Sequence, residues 1–218
     1  MLTPDRGGAP APAGAVPPAD TPRTTCTSYE GAAPARTWAE VTALFVAAFS
    51  AEPYGEDPRE LAQLSTWGPA QLARPGGRLT VAHRDGRPAG FALLHRLDAE
   101  ESWPAILRST TGHPAVAAAL RRPRDAVVLH ELAVEPGSRG RGVARDCLRE
   151  VLRDRDETHV FVGVHESAPQ ARAVYERWGL ERAGAFRGAD ADVTLLVLTR
   201  RVADLRARLG RPPTAAGG

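Results

Sequence analysis

The sequence predicts an α/β domain built on a mixed sheet. Two observations carry that expectation. A strand–helix–strand unit in the middle of the chain requires parallel neighbours and a right-handed crossover. Hairpin-like pairs of apolar runs flank it on both sides, which adds antiparallel strands. With 218 residues, 43% of them hydrophobic, the chain is long enough for one domain with a real core plus some tail.

Residues 1–36 are rich in Pro, Ala and Gly. Such a segment buries too little apolar surface to offset its ordering entropy, so it reads as a disordered N-terminal arm. The folded domain is expected over residues 37–200, with 201–218 as a frayed C-terminal tail. In "TWAEVTALFVAAF", Trp38, Val41, Leu44, Phe45, Ala48 and Phe49 recur at helical spacing. Pro53, Gly55 and Pro58 interrupt it, and "DPRELAQL" restarts a helix with Asp57 as N-cap.

"LTVAH" and "AGFALLHRL" flank Asp85-Gly86, the dipeptide that best tolerates positive φ, and read as a hairpin. Residues 99–125, with Glu100, Glu101 and Trp103, read as an insertion carrying one short helix. "AVVLHELAVEP" is a strand closed by Pro136. A helix is expected from about Gly140 to Arg153, with Val143, Cys147, Leu148, Val151 and Leu152 as its buried stripe. "HVFVGVH" is a second core strand. "SAPQARAVYERWGL" is a helix with Ser167 as N-cap and Gly179 as its stop. A last hairpin, "ERAGAF" and "DVTLLVLTRRV", closes the domain.

Bulk composition narrows the function classes. The formal net charge is +2, with all 28 basic residues arginine and 26 acidic residues nearly balancing them, so nucleic acid is not an expected partner. No apolar run approaches the ~20 residues of a membrane helix, and no signal-like apolar region opens the chain. A soluble cytoplasmic protein is expected. Cys26 and Cys147 make no disulfide framework, and no Cys/His spacing suggests a zinc site; no metal is expected.

The stretch that carries chemistry is "ELAVEPGSRGRGVA". A strand, a glycine turn and a helix start form an anion-binding device: the first helical N–H groups lack partners, and the helix dipole is positive there. Arg139 and Arg141 add donors. Neither the Walker pattern nor the dinucleotide fingerprint is present. The spacing Arg139-x-x-Gly142-x-Ala144 after Leu132-Ala133-Val134, followed by "VHESAPQARAVYERWGL", resembles the GNAT superfamily of acetyl-CoA-dependent N-acetyltransferases. The likeness spans about residues 37–200.

That resemblance implies a mostly antiparallel central sheet flanked by helices. It implies acetyl-CoA as acetyl donor, with the pantetheine arm along Leu132, Ala133 and Val134. The amides of Arg139, Gly140, Arg141, Gly142, Val143 and Ala144 would hold the pyrophosphate. It makes Tyr175 the acid that protonates the departing thiolate. Ala168 departs from the family's usual Asn, so one cofactor contact is lost or replaced, with Ser167 a candidate substitute.

A primary amine, with pKa near ~10, must lose a proton before it attacks. Glu131 is favoured for binding or deprotonating the amine, with His130 as the alternative. Neighbouring strand residues face opposite sides, so both serve only if a bulge intervenes. His165 at the end of the next strand is a further candidate. By resemblance the loop "EPYGED" walls the acceptor pocket, with Tyr54 as an aromatic surface and Glu52, Glu56 and Asp57 attracting a cation. A small-molecule amine is the preferred acceptor. A protein α-amine or lysine, a longer or acidic acyl-CoA, and a non-catalytic CoA-binding module are the alternatives. A homodimer through the outer sheet edge is compatible with the family.

Overall fold

The computed structural model describes residues 24–98, 102–110, 112–187 and 194–211. Among these described residues, seven strands form one sheet: β1 (Thr25–Glu30), β2 (Arg78–Arg84), β3 (Arg87–Arg96), β4 (Ala126–Val134), β5 (His159–His165), β6 (Glu181–Arg187) and β7 (Thr194–Arg201). Their order is β1-β2-β3-β4-β5-β7-β6, and every neighbouring pair is antiparallel except β4–β5. This is the mixed, mostly antiparallel sheet expected, with its parallel pair at the centre.

Helices cover both faces. Between β1 and β2 lie α1 (Ala35–Phe49), α2 (Pro58–Leu61) and α3 (Leu64–Leu72); α4 (Ser102–Ser109) and α5 (Pro114–Arg121) lie between β3 and β4. The crossover helix α6 (Val143–Val151), then α7 (Pro169–Arg177) and α8 (Val202–Gly210), complete the fold. Alternation along β3 assigns the faces. Ala92 and Leu94 join the core under α6 and α8, with Val143, Cys147, Leu205 and Leu209. Phe91 and Leu93 join α1 and α3 on the other face, where Leu97 meets the layer of α4 and α5.

Local chemistry explains several boundaries. Asp57 accepts a hydrogen bond from the Arg59 N–H (2.8 Å), capping α2 as expected. Asp85 and Gly86 both have positive φ (52° and 72°), which a two-residue hairpin demands. Gly179, at φ 82°, stops α7.

The structure corrects several expectations. Residues 25–30 of the supposed arm form β1, an edge strand held by its ladder to β2. Cys26 therefore lies in a strand. Backbone pairing needs no continuous apolar run, and "TCTSYE" offers none. Residues 1–23 lie outside the described residues. The tail is not wholly frayed: α8 buries Val202, Leu205 and Leu209 along one stripe. The insertion holds two helices rather than one, and the segment after Asp57 holds two short ones. Helix α6 starts at Val143, three residues later than Gly140, because Gly140 and Gly142 adopt positive φ. Ala168, not Ser167, occupies the N-cap of α7, and no side chain caps it.

Candidate active site

The site begins where the central parallel pairing stops. β4 and β5 are in register from Ala126–His159 to Leu129–Val162 only. Both strands continue, to Val134 and His165, without pairing to each other. A cleft of about 470 Å³ opens there. Leu132, Ala133 and Val134 line it from β4, Tyr175 and Trp178 from the α7 segment, and Ala48, Phe49 and Tyr54 from the end of α1 and its loop.

At one end of the cleft sits the start of α6. The Glu135 carboxylate accepts from the Gly137 N–H (2.9 Å), holding the turn that follows β4. That bond, with help from Ser138, keeps its pKa below the usual carboxylate range. Gly140 and Gly142 follow at φ 74° and 83°, and a Cβ built on either meets nothing within 4 Å. Left-handed backbone with open space beyond it lets an anion reach the first amides of α6. Gly140, Gly142, Val143, Ala144 and Arg139 line the cleft; Arg141 is exposed and does not. Arg139 also donates from Nη2 to the Ala48 carbonyl (3.1 Å), joining this loop to the end of α1.

Tyr175 is buried, and its ring meets Trp178 edge-on at 5.7 Å. Burial, reinforced by Tyr54 and Glu131, holds its pKa well above the ordinary phenol range, so it keeps its proton. Ala168 is buried and lines the same cleft, whereas Ser167 is exposed. Gln170 lines the cleft as well, a polar group that the motif reading did not single out.

A second cluster gathers around Glu131. β3 and β4 slip register between Leu93–Glu131 and Leu94–Leu129, so His130 is the extra residue of a bulge. Val128 before the bulge packs on the face of α4 and α5, and Ala133 after it packs on the same face, under α1 and α3. His130 and Glu131 thereby share a face, with Nδ1 and Oε1 3.6 Å apart.

Glu131 is the charge its neighbours have in common. Tyr54 is raised in pKa by burial, with Arg139 opposing and Glu56 and Glu131 adding. Glu56 is raised by burial, then by Glu131 and Glu60. His165 is lowered by burial, with Glu131 opposing, so its imidazole is neutral at physiological pH. The Tyr54 ring packs at a tilt of 52° against Phe49 (4.6 Å) and meets His165 edge-on (5.5 Å). Glu52 and Asp57 are exposed, and neither they nor Glu56, His130, Glu131 and His165 line the cleft itself. Among the described residues, no group of three or more His, Cys, Asp or Glu is arranged to hold a metal ion. Nor is any helix of these residues long and apolar enough to cross a membrane.

The sheet parts at its parallel pair beside a glycine-built helix start, an arrangement that can receive a phosphate-bearing ligand. The chain belongs to the acetyltransferase (GNAT) family, whose model matches residues 38–180. A mycothiol acetyltransferase from Clavibacter michiganensis subsp. michiganensis is 36% identical over 119 residues, which is 54% of this chain and 36% of that protein. The same-named protein of Clavibacter sepedonicus is 34% identical over 146 residues, 65% of this chain and 45% of that protein. This chain thus spans less than half the length of either. An N-alpha-acetyltransferase RimI from Mycobacterium tuberculosis is 28% identical over 147 residues, 63% of this chain and 74% of that protein.

Solved structures share the fold at low identity. The ribosomal-protein-S18-alanine N-acetyltransferase of Escherichia coli superposes with a TM-score of 0.55 at 16% identity, over 83% of this chain and 94% of that one. A GNAT-family acetyltransferase from Bacillus cereus gives 0.54 at 14%, over 82% and 97%.

Proposed function

We propose that this chain moves the acetyl group of acetyl-CoA directly to the amine of a small cationic molecule. One observation carries the reading. The cleft at the opening between β4 and β5 joins an anion-accepting helix start to Tyr175, and Glu131, although it does not line the cleft, is near enough to add to burial in raising the pKa of both Tyr175 and Tyr54.

The residues fit acetyl-CoA. The open space at Gly140 and Gly142 suits a pyrophosphate on the amides of Arg139 through Ala144. The stretch of β4 beyond Leu129 has no β5 partner, so Leu132, Ala133 and Val134 can pair with an amide-bearing arm. When bound, acetyl-CoA supplies a thioester activated toward amines.

The chain's own groups then handle protons. Glu131 and His130 bind the ammonium and take one proton from it, leaving the nitrogen lone pair free to form the new C–N bond. As the C–S bond breaks, Tyr175 gives its proton to the sulfur. The new amide nitrogen sheds its second proton as the C–S bond breaks. Of the two protons lost from nitrogen, one returns through solvent to the Tyr175 phenolate and the other is released to bulk water, which resets base and acid. No covalent enzyme intermediate forms.

The half-buried Glu56, pushed up in pKa by burial and by Glu131, and the Tyr54 ring favour a compact cation. The likeness to an N-alpha-acetyltransferase supports a peptide α-amine as the second reading. Thiol release from acetyl-CoA over 1,4-diaminobutane, spermidine, lysine amide, an amino sugar and an alanine-starting peptide tests both. Turnover on a small amine supports the first and on the peptide alone the second. CoA binding with no turnover points to a regulatory module instead.

A further inference from the structure

We propose that Trp67 is a positioning residue of the acceptor site, clamping the His130 imidazole so that Nδ1 faces Glu131 and Nε2 meets the incoming amine. The inference rests on the reading that the acceptor reaches β4 at His130 and Glu131.

A bulge residue has no opposite partner in the ladder, so the register alone does not fix its side chain. The His130 ring is instead in contact with two other rings. The Trp67 ring lies 5.3 Å away, inclined by only 33°. The His95 ring lies 5.5 Å away at 55°. Trp67 is itself anchored: Phe45 meets it edge-on at 6.4 Å and meets the fully buried Phe91 at 6.1 Å. The clamp therefore transmits the rigidity of the α1–α3 core to a residue that β4 leaves loose.

The chemistry of the two jaws is complementary. His95 is fully buried, and its Nδ1 lies 2.8 Å from the Arg96 carbonyl. A carbonyl only accepts, so the His95 proton is on Nδ1. Burial pushes its pKa down to about 4, which keeps it neutral. The Trp67 indole face attracts a cation. An imidazolium formed at His130 thus meets a neutral ring, an aromatic face and the Glu131 carboxylate, and no second positive ring. This divides the labour between the two candidates: His130 accepts the proton and Glu131 orients it, with Nδ1–H toward Oε1. Trp67 lies on a helix about sixty residues upstream and belongs to neither acetyltransferase motif.

Two-bond proton–nitrogen correlation spectra of the ¹⁵N-histidine-labelled full chain read each imidazole tautomer, and His130→Gln assigns the signal. The neutral His130 ring is expected to carry its proton on Nδ1 in the parent protein and in Trp67→Phe. In Trp67→Leu the two tautomers mix while His95 and His165 stay unchanged. A single unchanged tautomer in Trp67→Leu overturns the proposal, and so does a Trp67→Phe variant that mixes them as fully as leucine. If Trp67→Leu does not fold, Trp67→Phe decides alone: retention supports the clamp and loss overturns it. Spermidine turnover separates this from the underlying reading. If Glu131→Gln and His130→Gln both acetylate it at the parent rate, the acceptor-site reading fails, whatever the tautomer of His130.

Discussion

His130 Nδ1 lies 3.6 Å from Glu131 Oε1, although the two residues are consecutive in a strand. The β3–β4 bulge makes this possible, because it restores both side chains to one face. Removing either group separates their roles. Glu131→Gln keeps the shape and removes the charge, so the acceptor KM should rise while acetyl-CoA affinity holds. His130→Gln should instead lower kcat, on the order of 10²-fold if it supplies general-base catalysis. Steady-state kinetics on the best small amine, with calorimetry for the cofactor, checks the split.

Tyr175→Phe removes one oxygen from a buried ring and leaves the Trp178 contact in place. As the acid for the departing sulfur, Tyr175 should contribute roughly 10²-fold or more to kcat. Acetyl-CoA affinity should change little. Unchanged turnover would remove the acid role and leave Tyr175 as core packing.

Gly142→Val tests the helix start. A β-branched residue at φ 83° is strained, and its side chain enters the open space before α6. The backbone strain should lower stability by roughly 1–2 kcal/mol. CoA affinity should fall by a larger factor than that strain explains. Thermal unfolding measured with and without CoA distinguishes the two effects.

The fold class and the strand–turn–helix device were legible because they rest on local pattern. Asp85-Gly86, Asp57 and Gly179 each state their conformation in one or two residues. What escaped was set by distance. β1 has only one large apolar side chain, Tyr29, and is fixed by its ladder to β2. The bulge at His130 depends on the partner strand, so no parity count along β4 alone reveals it. Trp67 reaches the site through packing between α3 and β4, and Arg139 binds a carbonyl 91 positions earlier. The motif alone, by contrast, points to Tyr175, which lines the cleft.

Away from the cleft, Glu157 is buried between Arg96 (2.8 Å) and Arg155 (3.3 Å). Arg155 also donates to the Gly76 carbonyl, tying the end of the crossover to the β2 entry. Glu157→Ala should cost about 3–5 kcal/mol, because it leaves the Arg155 charge buried without its carboxylate. Denaturant unfolding measures it. A loss under about 1 kcal/mol would mean that solvent reaches this network freely.

His95 makes stability depend on pH. Its folded pKa, about 4, lies below its ordinary 6.5, so the unfolded chain binds more protons between those values. Stability from this group is full above pH 6.5 and is lost as pH falls toward 4, by roughly 3 kcal/mol. His95→Gln should flatten that part of the acid limb relative to the parent protein. Tm measured across the window reads the difference between the two curves.

Direct transfer of an acetyl group to a small amine, as proposed for the opening between β4 and β5, leaves acetyl on the amine and none on the protein. Mass spectrometry of the amine mixture and of the intact protein, after incubation with acetyl-CoA, tests it most directly. An acetylated small amine, protein of unchanged mass, and loss of product in Tyr175→Phe are expected. Acetyl groups retained on the protein, or a full yield of product from Tyr175→Phe, would contradict it.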